Sequence, residues 1–462
     1  MSQPDFATLN LAPALLGNLA TLGYTTMTPI QAQSLPPMLA GRDVIAQGKT
    51  GSGKTAAFGL GLLSRLNVKR FRIQSLVLCP TRELADQVAV EIRRLARGIH
   101  NTKVLTLCGG MPFGPQVGSL AHGAHIIVGT PGRVLDHLSR GTLVLDELNT
   151  LVLDEADRML DMGFQDALDA IMAHAPGNRQ TLLFSATYPD EIKAIAGRIM
   201  SKPVQVQVAA SHDGTSISQH FHLLAEGGSR IDAVRLLLAR HKPESAVVFC
   251  NTKKETQELA DILAGQGYGA LALHGDLEQR ERDQALVRFA NKSVSVLVAT
   301  DVAARGLDVQ DLDLVVNYHL AHDPEVHVHR IGRTGRAGSK GLACSLYLER
   351  QAHRIIELED YLGTNINPRP LPPAELLEQA PYLAPMATLQ IDGGKRQKLR
   401  PGDILGALTN DDSISGKQVG KINVMDDWAY VAVSREVKKR ALDKLGNNKL
   451  KGRSFRVRAI GR

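Results

Sequence analysis

The chain has 462 residues, more than one ordinary hydrophobic core serves, so two or three domains are expected. A hydrophobic fraction of 44% with 22% charged residues is that of a globular protein, and no run of about eighteen apolar residues exists to span a bilayer. The net charge of +7 is uneven: residues 386–462 hold 17 Lys and Arg against 8 Asp and Glu, leaving 37 against 39 in residues 1–385. A basic module on a near-neutral body points to a polyanion, most often nucleic acid.

The opening MSQPDFATLN lacks the basic patch and apolar core of a secretory signal. Cys79, Cys108, Cys250 and Cys344 are scattered through apolar runs without paired spacing, and read as reduced, buried thiols of a cytoplasmic protein. His327 and His329 lack a third ligand and do not suggest a metal site.

In chain order, the first chemistry is AQGKTGSGKT at 46–55, directly after the apolar run DVIA. Gly48, Gly53, Lys54 and Thr55 satisfy the P-loop pattern, with Gly51 between them. Glycines let backbone N–H groups face phosphates, and a helix N-terminus adds positive potential. Lys54 is placed for the β- and γ-phosphates and the Thr55 hydroxyl for Mg²⁺.

SLVLCP (75–80), HIIVGTP (125–131), TLVLDEAD (150–157) and QTLLFSAT (180–187) are apolar, β-rich runs separated by helix-length segments. They read as parallel strands buried on both faces, with their polar punctuation at the C-terminal edge where such sheets bind ligands. In LVLDEAD, adjacent carboxylates at the end of a buried strand repel unless a cation or water shares them. Asp154 is therefore placed to hold Mg²⁺, largely through water, and Glu155 to orient or deprotonate an attacking water.

A second set of strands echoes the first. LVLCPTRE (76–83) aligns with VVFCNTKK (247–254), and the strand ending at Thr130 with the strand ending at Thr300, at offsets of 171 and 170 residues. Two similar α/β domains follow, at 1–208 and 218–365, joined by 209–217. The second contains HRIGRTGRAG (329–338), where Arg330, Arg333 and Arg336 recur every third residue between glycines, a pattern suited to clamping phosphate.

Across residues 6 to about 365 these motifs, in this order, resemble the DEAD-box RNA helicases. The resemblance implies two tandem RecA-like, doubly wound parallel-sheet domains, with ATP and Mg²⁺ as cofactors. GYTTMTPIQ (23–31), with Phe6 upstream, resembles the adenine-reading element and implies that Phe6 and Gln31 contact the base. PTRELA, GG and TPGR resemble RNA-backbone contacts, implying roles for Arg82, Gly110, Thr130 and Arg133. SAT resembles the coupling motif, implicating Ser185 and Thr187. In the second domain HGDLEQRERD and Thr300 resemble RNA-facing elements, Asp308 matches a ribose contact, and Arg333 and Arg336 match the arginine fingers. The implied activity is RNA-dependent hydrolysis of ATP coupled to local unwinding of short duplexes.

Six prolines between 368 and 385 mark 366–385 as a linker. Beyond it the pattern restarts as strand, helix, strand, strand, helix, strand, the order of a small α+β RRM-like module over 386–462. Trp428 and Tyr430 sit at its aromatic positions, but Gln390 stands where the first strand usually stacks a base, which favours recognition through basic residues. Alternation along RSFRVRA puts Arg456 and Arg458 on one face and Phe455, Val457 and Ala459 on the other. Lys449, Lys451, Arg456 and Arg458 are the candidate RNA contacts. The tail resembles that of bacterial DEAD-box proteins tethered to a large-subunit ribosomal RNA hairpin, implying a pre-ribosomal particle as partner and a part in large-subunit assembly. A general RNA helicase, or an ATP-gated RNA clamp with a nonspecific basic tail, is the alternative.

Overall fold

The computed structural model describes residues 4–48, 51–208, 217–304, 312–335, 341–411 and 413–461. The chain divides into two compact units, one formed chiefly by residues 1–212 and the other chiefly by 213–462.

The first unit holds seven strands: β1 (Val44–Gln47), β2 (Ser75–Leu78), β3 (Val104–Leu107), β4 (Ile126–Gly129), β5 (Thr150–Asp154), β6 (Gln180–Ser185) and β7 (Val204–Gln207). They form one parallel sheet in the order β3-β4-β2-β5-β6-β1-β7. Central strands β2, β4, β5 and β6 are buried at every position, which is why they read as continuous apolar runs rather than alternating ones. Two apolar clusters cover the sheet, one containing Val77, Val152 and Phe184, the other Leu76, Leu151 and Leu183. Successive residues of a strand thus serve opposite faces.

The second unit begins with β8 (Ile217–Leu224), β9 (Ala246–Cys250), β10 (Ala270–Leu273), β11 (Val296–Thr300), β12 (Leu314–Asn317) and β13 (Gly341–Leu348). Their parallel order is β10-β11-β9-β12-β13-β8. Five consecutive positions match the first sheet: β3-β4-β2-β5-β6 corresponds to β10-β11-β9-β12-β13. The repeat seen in two strand sequences therefore extends through most of both sheets.

Four further strands, β14 (Met386–Ile391), β15 (Val419–Val424), β16 (Ala429–Ser434) and β17 (Val457–Ile460), make an antiparallel sheet ordered β15-β16-β14-β17. The helices Pro401–Leu408 and Lys438–Asn447 cover one face, burying Ile404, Leu408, Ala441 and Leu445 against Leu389 and Val431. Pro401 opens its helix, where its missing N–H costs nothing.

The proline-rich stretch is strapped onto the parallel-sheet part of its unit. Pro368 bridges Phe221 on edge strand β8, Arg369 N–H donates to the Phe221 carbonyl at 2.7 Å, and Tyr382 meets Tyr268 edge-on. Proline cannot donate to a ladder, so a short extended segment with few donors suits a sheet edge.

Candidate functional site

The strand order sorts the predicted site residues along one edge of the first sheet. β1, β5 and β6 are neighbours, and their C-terminal ends carry the P-loop, Asp154–Glu155 and Ser185–Thr187. β3, β4 and β2 are also neighbours, and theirs lead into Gly110, Thr130 with Arg133, and Arg82. One half of the edge thus gathers the phosphate chemistry and the other half the candidate RNA contacts, meeting between β2 and β5.

In the phosphate half, the helix Lys54–Ser64 starts from Gly53, whose φ of 94° is left-handed. A Cβ at Gly53 would lie 2.5 Å from Gln31 Nε2, so both conformation and space demand glycine. Gly51 also adopts a positive φ, 81°. Gln31 is buried, accepting from Thr28 N–H at 2.9 Å and donating to the Gly53 carbonyl at 3.1 Å. It therefore ties the segment expected to read adenine to the P-loop. Lys54 is buried and its Nζ donates to the Gly48 carbonyl at 2.7 Å, holding the ammonium across the loop, with Thr55 half-buried beside it.

Phe6 departs from expectation. Met27 N–H bonds the Pro4 carbonyl and Asp5 bridges Thr26, drawing Phe6 into the core edge-on to Tyr24 at 6.2 Å. At 2% exposure its ring braces the segment leading to Gln31 and offers no open stacking face.

Asp154, Glu155 and Asp157 are all buried, alongside the cations Lys54 and Arg158. Burial pushes the Asp154 carboxyl up to about 7; Lys54 opposes this and the Glu155 charge adds to it. A buried hard oxygen donor whose charged form lacks enough compensation, within reach of the P-loop lysine's charge, fits a divalent cation such as Mg²⁺.

Asp157, to which the motif spacing assigns no role, joins this cluster to the SAT segment. Its Oδ2 accepts from Ala186 N–H at 3.2 Å, Thr187 N–H at 2.9 Å and Thr187 Oγ1–H at 3.0 Å. Its Oδ1 accepts from Arg158 N–H at 3.0 Å, and its own N–H donates to Ser185 Oγ at 3.3 Å. Burial works against its charge, but the Thr187 N–H, Lys54 and Arg158 outweigh it and hold the carboxyl below the usual range. The signal was present in the last letter of DEAD, three residues beyond Asp154 and at the start of a helix.

In the other half, Gly110 takes a φ of 71° and Arg82 starts the helix Arg82–Leu95 behind the cap Thr81. Thr130 precedes the helix Pro131–Ser139 and its Oγ1 accepts from Gly109 N–H at 3.4 Å. Arg133 donates to the Met111 carbonyl at 2.9 Å, linking the β3 and β4 loops. The structure brings all four together at neighbouring strand ends.

In the second unit Thr300 closes β11 and is buried. Arg330 cannot serve as a phosphate clamp: it is 2% exposed, pairs with Asp301 through Nε at 2.6 Å and Nη2 at 2.7 Å, and donates to Asn251, Asn317 and the His319 carbonyl. The three-residue spacing grouped a structural arginine with its neighbours. Arg333 is also buried, at 7% exposure, and Arg336 and Asp308 lie outside the described residues.

His220, His222 and Cys344 converge with ligand atoms within 4.8 Å of one another. Arg369 donates to His220 Nε2 at 2.7 Å, however, occupying that lone pair and setting a cation where a metal would need none.

In the antiparallel-sheet part, Phe455, Val457 and Ala459 pack on the core while Arg456 and Arg458 are exposed. Lys449 is exposed too, and Lys451 is tied to Asp403 at 3.4 Å and to the Lys398 carbonyl at 2.9 Å. The sheet face that bears the aromatic positions packs against the helix Gln279–Ala290 and the turn after it. Arg280 lies 4.9 Å over the Trp428 ring, Tyr430 is fully buried, and Thr388 bonds Asn291 at 2.9 Å and also Ser293. Gln390 is buried on the same sheet. The middle of this sheet is thus an intramolecular surface, and base stacking on Tyr430 would require it to open.

Comparison with known proteins follows the same divisions. The DEAD/DEAH box helicase family matches residues 28–195, the helicase conserved C-terminal domain 229–338, and the DbpA RNA binding domain 388–459. The chain is 58% identical over 456 residues to the ATP-dependent RNA helicase DbpA of Escherichia coli K12, covering 98% of this chain and 99% of that protein. It is 45% identical over 354 residues to the DEAD-box ATP-dependent RNA helicase CshA of Bacillus subtilis 168, covering 77% of this chain and 72% of that relative. S. cerevisiae Dbp5, solved bound to RNA and ADP BeF3, shares the fold with a TM-score of 0.71 at 32% identity, covering 80% of this chain and 95% of that one.

Proposed function

We propose, for a chain that belongs to the DEAD-box family of ATP-dependent RNA helicases, that hydrolysis at the β1–β5–β6 edge drives local separation of short RNA duplexes. The observation supporting this most directly is the Asp157 knot, which ties the helix that follows the candidate catalytic strand β5 to the SAT segment.

In this mechanism Gln31 reads the adenine edge, and the loop of Gly48, Gly51 and Gly53 cradles the phosphates. Lys54 moves from the Gly48 carbonyl onto the β- and γ-phosphates. Thr55 and Asp154 are the residues that would hold Mg²⁺, which would neutralise phosphate charge when bound. Glu155 orients the attacking water and takes its proton. Asp308 contacts the ribose, and Arg333 and Arg336 the transferring phosphoryl group. Ser185 and Thr187 relay the change through Asp157, and Arg82, Gly110, Thr130, Arg133 and Thr300 hold the RNA backbone, a sequence-blind grip.

The address comes from residues 386–462, with a structured hairpin of large-subunit ribosomal RNA in a pre-ribosomal particle as target and large-subunit assembly as the role. The exposed Lys449, Arg456 and Arg458, together with Lys451, support recognition by basic residues around the covered sheet face. Phosphate contacts alone lower affinity for all RNAs alike, so selectivity also needs base or shape readout. The test compares RNA-stimulated ATPase on a ribosomal-hairpin RNA and a scrambled RNA of equal length at matched salt, with and without residues 386–462. The intact chain should prefer the hairpin and the truncated one should not. Equal stimulation of the intact chain by both RNAs refutes the proposed target.

A further inference from the structure

We propose that Arg158 is a positioning residue for hydrolysis, acting through Glu155; this rests on the assignment of Glu155 to the attacking water. Glu155 is held at three points. Its backbone takes a left-handed φ of 52°, unusual for a side chain of that size, and its N–H donates to Asp154 Oδ1 at 3.1 Å. Its Oε2 accepts from Arg158 Nη1 at 2.7 Å, and the two side chains are 8% and 6% exposed.

Turn geometry makes the pairing possible. Glu155 caps the helix Ala156–Asp161, and the i,i+3 spacing sets Arg158 one turn on, over the carboxylate. The contact uses one guanidinium nitrogen and one carboxylate oxygen. A glutamate has three side-chain torsions; pinning Oε2 leaves Oε1 in a defined place, which is what in-line attack by a water requires.

The charges assign the two cations separate tasks. Lys54 reaches across the P-loop to Gly48, while Arg158 grips Glu155 with its side chain and Asp157 with its backbone N–H. Arg158 therefore stands between the water-handling carboxylate and the aspartate that holds Ala186 and Thr187. Its place in the cycle is to hold Glu155 in the aimed conformer, so that the productive rotamer is the populated one.

The experiment is a double-mutant cycle in the full chain, read by single-turnover ATP hydrolysis at saturating RNA, with ATP KM measured alongside. Arg158→Gln should lower the rate about 10²-fold, the scale of a small misplacement, with KM within about threefold. Arg158→Lys should recover at least about tenfold of that loss, because it restores the charge over Oε2. In a Glu155→Gln background, Arg158→Gln should change the residual rate by less than about threefold, since the residue through which it acts is gone. Equal losses in both backgrounds, or an unchanged rate for Arg158→Gln where Glu155→Gln is slow, overturn the inference. Should the Gln variant not fold, the same cycle with Arg158→Lys decides it: any loss must vanish beside Glu155→Gln. Near-wild-type turnover by Glu155→Gln alone overturns the Glu155 assignment itself, and the inference with it.

Discussion

Replacing Asp157 by Asn tests whether the buried knot between β5 and the SAT segment is built from charge-assisted bonds. Three donors converge on Oδ2 and one on Oδ1, so the amide NH₂ must face a donor in either orientation. The less costly flip points NH₂ at Arg158 N–H and leaves that buried donor unsatisfied, at about 1–3 kcal/mol. The three bonds kept on the amide oxygen lose their ionic partner and, with it, up to about half their strength. The sum is about 2–4 kcal/mol, or roughly 4–15 °C in the melting of a domain of this size.

The assay is thermal unfolding of the intact variant beside wild type, with strand separation and ATPase measured in parallel. Strand separation should fall more than ATP hydrolysis, since the cut lies between the candidate catalytic strand and SAT. The pH dependence has a fixed sign. Asp157 is depressed below its unfolded value, so its contribution is present above about pH 4 and lost as pH falls through the folded value. The gap between Asp and Asn should be full near neutrality and shrink in acid. A variant within about 0.5 kcal/mol of wild type at neutral pH would show that the knot contributes only what a neutral network does.

Glu155→Gln should retain ATP and RNA binding while turnover drops about 10²–10⁴-fold, measured by nucleotide affinity beside steady-state hydrolysis. Gly53→Ala forces a Cβ to within 2.5 Å of Gln31 Nε2 at a φ of 94°, so ATP affinity should fall at least about tenfold by titration with a fluorescent nucleotide. Arg280→Ala removes the cation over Trp428 and should weaken docking of the antiparallel sheet by about 0.5–2 kcal/mol. Hydrogen exchange would report it as faster amides in β14 and β16, with β2 and β5 unaffected as the internal control.

Much of this protein was legible in its sequence because local chemistry fixes it. Buried parallel strands must be continuous apolar runs, so SLVL, TLVLD and AVVFC announce themselves. A phosphate loop needs glycines at set spacing before a helix, so Gly53 and Lys54 are recognisable without neighbours. What tertiary structure decided is which groups far apart in sequence satisfy one another. The spacing of Arg330 matched that of a phosphate clamp, but only folding brings Asp301, Asn317 and Asn251 around it and fills its donors. Phe6 lies in the stretch expected at adenine, yet the bridge from Asp5 to Thr26 turns its ring into the core. Strand order, which no single segment encodes, separated the P-loop half of the sheet edge from the half carrying the candidate RNA contacts and brought Asp157 to Thr187. The prolines of 366–385 marked a connection, but its seat on β8 depends on an edge strand more than 140 residues earlier. Tyr430 and Trp428 show the same limit. Their alternation told which face they occupy, while the cover over that face comes from a helix some 150 residues away, by long-range packing that periodicity does not carry.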